Sequence, residues 1–264
     1  MPQQIRYGVG NESGDSYAVF VDSDGTRADS SAEFAEVARF VGAPIAGIVR
    51  IVPLTDSETE WFMDVRNPAG TTATTSANGV RVASAFLISE QLVPVGSGER
   101  FTIDTRDGVL DIQAGANGLF RVDLGRWKFG ERTSHRYEVQ LGGSHTVTGL
   151  ESLAELDALD LSSIAATETE QVFAAAEQPL IDDGIGRLRF RVFRPGVGEV
   201  ASSGTGAAAA ALAMRHDTGA VTTHNWRAES RGGSIGIQMF PTEDGEHVSI
   251  HGHAELTATG TAKI

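Results

Sequence analysis

The sequence predicts an α+β fold made of two similar domains, because one local pattern occurs twice along the chain. A turn of small residues leads directly into an apolar helix at residues 76–88 and again at residues 203–214. Glycine permits backbone angles that a Cβ forbids, and alanine, which fills the second stretch, is the strongest helix former. We therefore predict a buried helix after each turn, over residues 78–91 and from residue 207 onwards.

The segments around the two turns also match. Residues 63–70 and 190–196 each read as a strand that contains an arginine and then a proline. Residues 101–113 and 226–238 each read as a strand, a glycine turn and a second strand. Because the two copies are separated by about half the chain, they indicate two pseudo-symmetric domains and not a solenoid.

The domain boundary is predicted near residue 127. The alternation of apolar and polar residues, which is typical of strands, weakens over residues 125–133. The predicted domains are therefore residues 1–126 and 127–264, and the last strand is allowed to cross back to the first domain.

In the first half, apolar residues at helical spacing predict one further helix. Phe34, Val37, Ala38 and Val41 fall on one face of a helix over residues 34–41. Alternating or β-branched runs predict strands at residues 5–7, 17–21, 45–54, 61–66, 101–113 and 119–124.

In the second half, residues 151–159 are predicted as a short acidic helix, and residues 163–173 are left open between helix and strand. The predicted strands are residues 135–141, 144–148, 188–193, 226–238, 247–252 and 255–262.

Charge excludes two classes of partner. The 264 residues carry 21 basic and 35 acidic side chains, a net charge of −14. Nucleic acids and anionic membranes bind positive surfaces, so neither is expected as a partner. No apolar run approaches the ~20 residues of a membrane span, and no apolar leader begins the chain, so a cytoplasmic location is expected.

The chain contains no cysteine. Disulfides, thiolate metal ligands and thiol catalysis are therefore excluded. Among the seven histidines, His251 and His253 share one face of a predicted strand, but no third ligand is evident. We expect no metal and no cofactor.

The helix starts are the candidate binding sites. The first N–H groups of a helix have no partner within it and attract anions. The candidate ligand-binding residues are Ala77, Asn78, Gly79, Gly204, Thr205 and Gly206. Ser76 and Ser203 stand at the two turns and are candidates for lining the ligand site or for proton transfer. Helix capping, for which serine is a preferred residue, can hold at the same time.

Three residues ahead of the helices are further candidates. Arg194 suits a substrate carboxylate through its planar fork, with a salt bridge as the alternative. Asn67 and Glu199 are weighed between a ligand contact and hydrogen bonds that hold a loop.

At these residues the chain resembles the diaminopimelate epimerase family. The family's motifs are Asn-Ala-Asp-Gly leading to Cys-Gly-Asn-Gly, and Gly-Val-Gly-Glu leading to Cys-Gly-Thr-Gly. Their counterparts are residues 67–70 with 76–79, and 196–199 with 203–206. The resemblance implies two pseudo-symmetric domains, each a mixed or antiparallel sheet around a central helix. It also implies catalysis without pyridoxal phosphate and a small substrate in the inter-domain cleft between the helix starts. A second copy of the chain, forming a homodimer, is a further partner that the resemblance allows.

The sequence departs from the family pattern at the residues that carry out acid–base catalysis. Ser76 and Ser203 stand where the family has its two acid–base cysteines. An alcohol is a far weaker acid than a thiol and needs an adjacent base, and neither serine has a histidine or carboxylate beside it in sequence. The family's Glu-Arg pair is Phe193-Arg194 here, and its Asn-Pro-His segment has no clear counterpart. Diaminopimelate is therefore disfavoured as the substrate.

A sister group with the same fold, similar to phenazine-pathway isomerases, moves a proton with a carboxylate instead of cysteines. The corresponding stretch here, residues 43–46, offers no carboxylate.

Three functions remain open. The first is a cofactor-independent isomerase, epimerase or cyclase that acts on a small carboxylate or amino-acid-like substrate, with Ser76 and Ser203 as catalytic residues. The second is a ligand-binding homologue without catalysis. The third is a diaminopimelate epimerase trapped by serine at both cysteine positions.

Overall fold

The computed structural model describes residues 4–23, 25, 31–42, 44–55, 57, 59–73, 75–164 and 168–263. The chain divides into two compact units. One consists of Met1–Val122 with Gly252–Ile264, and the other of Asp123–His251.

Seven strands of the first unit pair in one continuous order, and the last strand of the chain pairs with the first. These strands are β1 (Gln4–Glu12), β2 (Asp15–Val21), β3 (Gly47–Pro53), β4 (Trp61–Arg66), β5 (Arg100–Thr105), β6 (Leu110–Ala114) and β17 (Glu255–Lys263). They pair in the order β17–β1–β2–β3–β4–β5–β6. The β2–β3 and β4–β5 pairings are parallel, and the others are antiparallel. Strand β7 (Leu119–Arg126) follows a 3-10 turn at Ala116–Gly118.

Two helices pack on the first unit's sheet, α1 (Ser31–Val41) and α2 (Ala77–Ser89). Successive residues of a strand point to opposite faces, so β2 serves both helices. Ala18 and Phe20 join Phe34 of α1 in one apolar cluster, whereas the ring of Tyr17 lies against α2 at Gly79. The helix predicted over residues 78–91 is confirmed to within two residues at each end.

Strand β1 is longer than predicted. The sequence indicated a strand only at residues 5–7, because Gly8 and Gly10 looked like the start of a loop. In the structure both glycines lie within β1, where α2 approaches closely. A Cβ at Gly8 would lie 2.6 Å from the Phe86 ring. Glycine is therefore needed there for close packing against α2 and not to form a turn.

The second unit has a similar element list. Its strands are β8 (Lys128–Thr133), β9 (Arg136–Gln140), β10 (Ser144–Leu150), β11 (Glu170–Asp182), β12 (Ile185–Arg194), β13 (Gly198–Val200), β14 (Asn225–Ser230), β15 (Gly233–Thr242) and β16 (Gly245–His253). Its helices are α3 (Leu153–Ala158) and α4 (Gly204–Asp217), with a 3-10 turn at Leu161–Ser163.

These strands pair in the order β8–β9–β10–β11–β12–β14–β15–β16, and β13 pairs with the end of β12. The β10–β11 and β12–β14 pairings are parallel. Each unit therefore contains two parallel pairings separated by an antiparallel one, and the second parallel pairing follows its central helix, α2 or α4.

Two predictions for the second unit need revision. Residues 128–133, assigned to the weakening pattern at the domain boundary, form strand β8. The stretch left open at residues 163–173 contains the start of β11 at Glu170, and residues 165–167 lie outside the described residues. Helix α4 forms where it was predicted but begins at Gly204, so the residues assigned to the turn form its first helical turn, and residues 207–214 are all buried.

None of the helices in the described ranges is long and apolar enough to span a membrane.

Candidate active site

Ser203 begins helix α4 as its N-cap. Its backbone is extended, and its Oγ accepts a hydrogen bond of 3.1 Å from the Gly206 N–H. Gly204 and Gly206 are buried in the first turn, and Thr205 is half-buried. Since the hydroxyl of an N-cap has one proton left to donate, the partner of that proton decides what Ser203 can do chemically.

That partner is Glu170, the first residue of β11. The Ser203 Oγ–H donates to Glu170 Oε1 across 2.7 Å. No sequence pattern indicates Glu170, because it lies 33 residues before Ser203 in a stretch left open between helix and strand. The base that an alcohol requires is therefore supplied from a distant strand and not from the motif itself.

An arginine and a histidine converge on the same carboxylate. Arg194, a candidate from sequence, donates from Nε to Glu170 Oε2 across 3.3 Å. His145 Nδ1 lies 3.2 Å from Glu170 Oε1, without the alignment of a hydrogen bond. The other ring nitrogen of His145, Nε2, lies 3.1 Å from the Leu141 carbonyl oxygen and donates its hydrogen there. The buried ring is thereby held beside the carboxylate.

These neighbours keep Glu170 ionised. Burial by itself would raise the pKa of Glu170, whose side chain is only 12% exposed. The contacts with His145, the charge of Arg194 and the Ser203 hydrogen bond outweigh burial and lower the pKa to about 2. At neutral pH the carboxylate is therefore charged and oriented toward the Ser203 hydroxyl.

Gly206 makes room for this arrangement. A Cβ at residue 206 would lie 2.8 Å from Glu170 Oε1 and 2.9 Å from Ser203 Oγ. Real Cβ atoms do not approach other atoms this closely, so the glycine is a steric requirement of the Ser203–Glu170 contact.

Ser76 begins helix α2 in the same way. Its Oγ accepts a hydrogen bond of 3.2 Å from the Gly79 N–H. Its second partner is the hydroxyl of buried Tyr17, 2.8 Å away, and either oxygen can be the donor. Ser76 is half-buried, while Ala77, Asn78 and Gly79 are buried in the first turn.

A buried ion pair lies behind the first turn of α2. Arg81 Nη2 donates to Asn78 Oδ1 across 2.8 Å and lies 2.5 Å from Glu12 Oε1. Burial raises the pKa of Glu12 and lowers that of Arg81, and the mutual attraction of the pair opposes both shifts. The ion pair thus fixes the side chain of Asn78, one of the candidates from sequence.

The contacts of Asn67, another candidate from sequence, favour a structural role. Asn67 Oδ1 accepts from the N–H groups of Ala69 and Thr71, and its Nδ2 donates to Thr71 Oγ1. These contacts are the loop-fixing alternative that the sequence left open.

The carboxylate of Glu199 lies between two arginines. Arg191 donates to it twice, across 2.8 and 3.0 Å, and Arg231 lies 3.0 Å away. Hydrogen bonding to Arg191 holds the pKa of Glu199 below its usual value. These contacts favour the structural alternative for Glu199 as well.

The strand registers show that the partner of each serine belongs to an equivalent residue pair, but to the opposite member of that pair. Tyr17 and Gly47 form the first pair of the parallel β2–β3 ladder. His145 and Glu170 form the first pair of the parallel β10–β11 ladder. The first unit therefore has a tyrosine and a glycine where the second has a histidine and a glutamate.

Comparison with known proteins identifies relatives along most of the chain. No protein-family model matches it. A diaminopimelate epimerase of Corynebacterium glutamicum (strain R) is 30% identical over 249 residues, which cover 86% of each chain. That of Streptomyces coelicolor is 30% identical over 218 residues, 77% of this chain and 73% of the relative. That of Acidothermus cellulolyticus is 28% identical over 211 residues, 76% of this chain and 66% of the relative.

Solved structures share the fold at lower identity. A Bacillus anthracis phenazine biosynthesis protein of the PhzF family superposes with a TM-score of 0.75 at 14% identity, covering 99% of this chain and all of that one. A hydroxyproline epimerase from Agrobacterium vitis gives 0.68 at 13%, covering 100% and 94%. With the repeated turn–helix motifs and relatives at 30% identity over most of both sequences, the chain belongs to the diaminopimelate epimerase family.

Proposed function

We propose that this isomerase moves a proton at a carbon next to the carboxylate of a small acid or amino acid, without a cofactor. Its membership in an epimerase family supports the reaction class. The main observation in support of this function is the 2.7 Å hydrogen bond from Ser203 to the ionised Glu170, because it gives an otherwise unreactive alcohol an adjacent base. Ser203 and Ser76 are the proposed catalytic residues, with Ser203 as the proton-transfer group.

The substrate carboxylate is proposed to bind at the helix starts. The first-turn N–H groups of α2 and α4 are oriented donors, and helix dipoles stabilise negative charge that develops on an enolate. Arg194 is proposed as a further carboxylate contact, beside its bond to Glu170.

The test is solvent deuterium exchange with a defined panel. The panel takes its compounds from the names of the relatives and fold neighbours: diaminopimelate, proline, trans-4-hydroxy-L-proline and methylitaconate. We add 3-butenoate, a simple β,γ-unsaturated acid. Mass spectrometry in D₂O would detect deuterium at the carbon next to the carboxylate.

We expect exchange with at least one compound, and a loss of about 100-fold or more in Ser203→Ala, the scale of general acid–base catalysis. Ser89→Ala is the matched control, because Ser89 lies at the other end of α2 and donates to the Phe86 carbonyl oxygen. No exchange with any compound would refute the proposal. Binding by calorimetry without exchange would identify a ligand-binding homologue, and such binding of diaminopimelate would identify the trapped epimerase.

A further inference from the structure

The two helix starts share a serine cap but differ in what the serine can exchange protons with. Ser203 donates to a carboxylate, Glu170, which in turn lies beside His145. Ser76 bonds the Tyr17 hydroxyl and the Gly79 N–H, and in the described part of the chain it has no carboxylate partner. A phenol and an amide are neutral groups.

The difference is built into equivalent strand positions. Glu170 is paired with His145 at the start of one parallel ladder, and Gly47 is paired with Tyr17 at the start of the other. A Cβ at Gly47 would lie 2.9 Å from the Tyr17 ring and 3.1 Å from the Arg66 carbonyl oxygen. The packing of Tyr17 therefore prevents the first unit from carrying a carboxylate at the position equivalent to Glu170.

Proton transfer by an alcohol needs such a carboxylate. A serine oxygen that receives a proton from carbon must release its own proton to a base in the same step. Ser203 can release its proton to Glu170 Oε1, to which it is already bonded. Among the described residues the partners of Ser76 are neutral, so Ser76 is not equipped to deprotonate a substrate.

We propose that proton transfer in this enzyme is one-sided: Ser203, acting with Glu170, both removes and returns the substrate proton, while Ser76 takes no part in proton transfer. This inference rests on the proposed function and specifies its stereochemical course. A proton that leaves and returns on one side gives exchange with retention, or a shift of a double bond. It does not invert configuration, which requires a proton donor on each side.

The step balances without another reactant. The carbon–hydrogen bond next to the carboxylate breaks, and its electron pair stays on the substrate as an enolate. The proton goes to Ser203 Oγ as the original hydroxyl proton passes to Glu170 Oε1. In the return step the same groups deliver a proton to that carbon, or to the γ-carbon of an unsaturated acid, and nothing is oxidised or reduced.

The experiment measures exchange and configuration separately. The panel compounds that exchange in wild-type protein are incubated in D₂O as single enantiomers, and products are followed by mass spectrometry and chiral chromatography. Methylitaconate and 3-butenoate are followed by NMR for double-bond movement. We expect deuterium or double-bond movement without the opposite enantiomer. The opposite enantiomer appearing as fast as deuterium would overturn one-sided transfer while leaving the proposed function intact.

Two matched variants test which of the two serines transfers the proton. Glu170→Gln removes the charged partner of Ser203, and Tyr17→Phe removes the hydroxyl partner of Ser76. We expect Glu170→Gln to lower kcat for exchange about 100-fold, and Tyr17→Phe to act mainly on KM. An equal loss of kcat in both variants would overturn the inference.

Glu170→Asp separates chemistry from structure, because it keeps a carboxylate that is one methylene shorter. It should recover part of the exchange lost in Glu170→Gln, whereas a merely structural role predicts no recovery. If no panel compound exchanges in wild-type protein, the proposed function fails and this inference fails with it, which is a different result from exchange with inversion.

Discussion

Ser203 shows how much the chemistry of one side chain depends on its partner. An N-cap serine is ordinary in sequence, and its hydroxyl in water is too weak an acid to act alone. Here the same hydroxyl donates to a carboxylate that His145 and Arg194 keep ionised. The residue was predictable as a cap, but its proposed role as a proton-transfer group depends on Glu170.

At the residue scale, Glu170 predicts a pH-dependent stability. Its pKa is lowered from 4.5 to about 2, so the charged form stabilises the fold above pH 4.5, and that stabilisation is lost as the pH falls toward 2. The shift corresponds to roughly 3 kcal/mol. Urea unfolding should show Glu170→Gln less stable than wild type by about that amount at pH 7, with the gap narrowing below pH 4.5. Exposed Glu168→Gln is the control, and a gap independent of pH would contradict the assignment.

The glycines at the two helix starts predict opposite effects of alanine. At Gly206 a Cβ would crowd Glu170 and Ser203 at 2.8 and 2.9 Å, whereas at Gly79 its nearest contacts are 3.4 Å away. We expect Gly206→Ala to cost about 1–3 kcal/mol and to reduce exchange. Gly79→Ala should be neutral or stabilising by up to about 1 kcal/mol, because alanine is the better helix former. Thermal unfolding of both proteins checks this, and equal effects would show that Gly206 has no special steric role.

At the scale of elements, helix α2 carries a charged residue in its buried face. Arg81 is fully buried, pairs with Glu12, and holds Asn78 in the first turn. Gly252 permits this, because a Cβ there would lie only 2.3 Å from Arg81 Nη1. A buried ion pair is not in itself stabilising, but removing one partner leaves the other charge without compensation.

Arg81→Met is therefore expected to destabilise the protein by about 3–5 kcal/mol, because it leaves Glu12 buried without its counter-charge. Urea unfolding measures the change. Arg6→Met is the matched control, since Arg6 forms an exposed ion pair with Glu90, and it should have little effect. If Arg81→Met proved as stable as wild type, Glu12 would have to be neutral or solvated in the native protein.

The elements also show where sequence patterns are reliable. Helices α2 and α4 were predictable because a small-residue turn, a serine cap and an apolar run all act within one or two helical turns. Strand β1 was underestimated because Gly8 and Gly10 serve a packing contact with α2, which a local pattern cannot distinguish from a turn. Strand β11 was left open, and with it the position of Glu170.

At the scale of the whole molecule, the order of pairings repeats between the units. Both contain a parallel, an antiparallel and a parallel pairing in succession, and the central helix precedes the last. The repeated turn and helix already indicated this from sequence. The registers add that Tyr17 with Gly47 and His145 with Glu170 are equivalent pairs, which alignment of the two turn–helix motifs alone does not reveal.

The sequence by itself determined the helices, their serine caps and the repeated turn–helix pattern, because propensity and capping depend on residues within a few positions of one another. Only the tertiary structure decided which side chain each cap meets. Glu170 is 33 residues from Ser203, and Tyr17 is 59 residues from Ser76. These contacts follow from strand register and helix–sheet packing, which are set across the sheet and leave no local pattern in the chain.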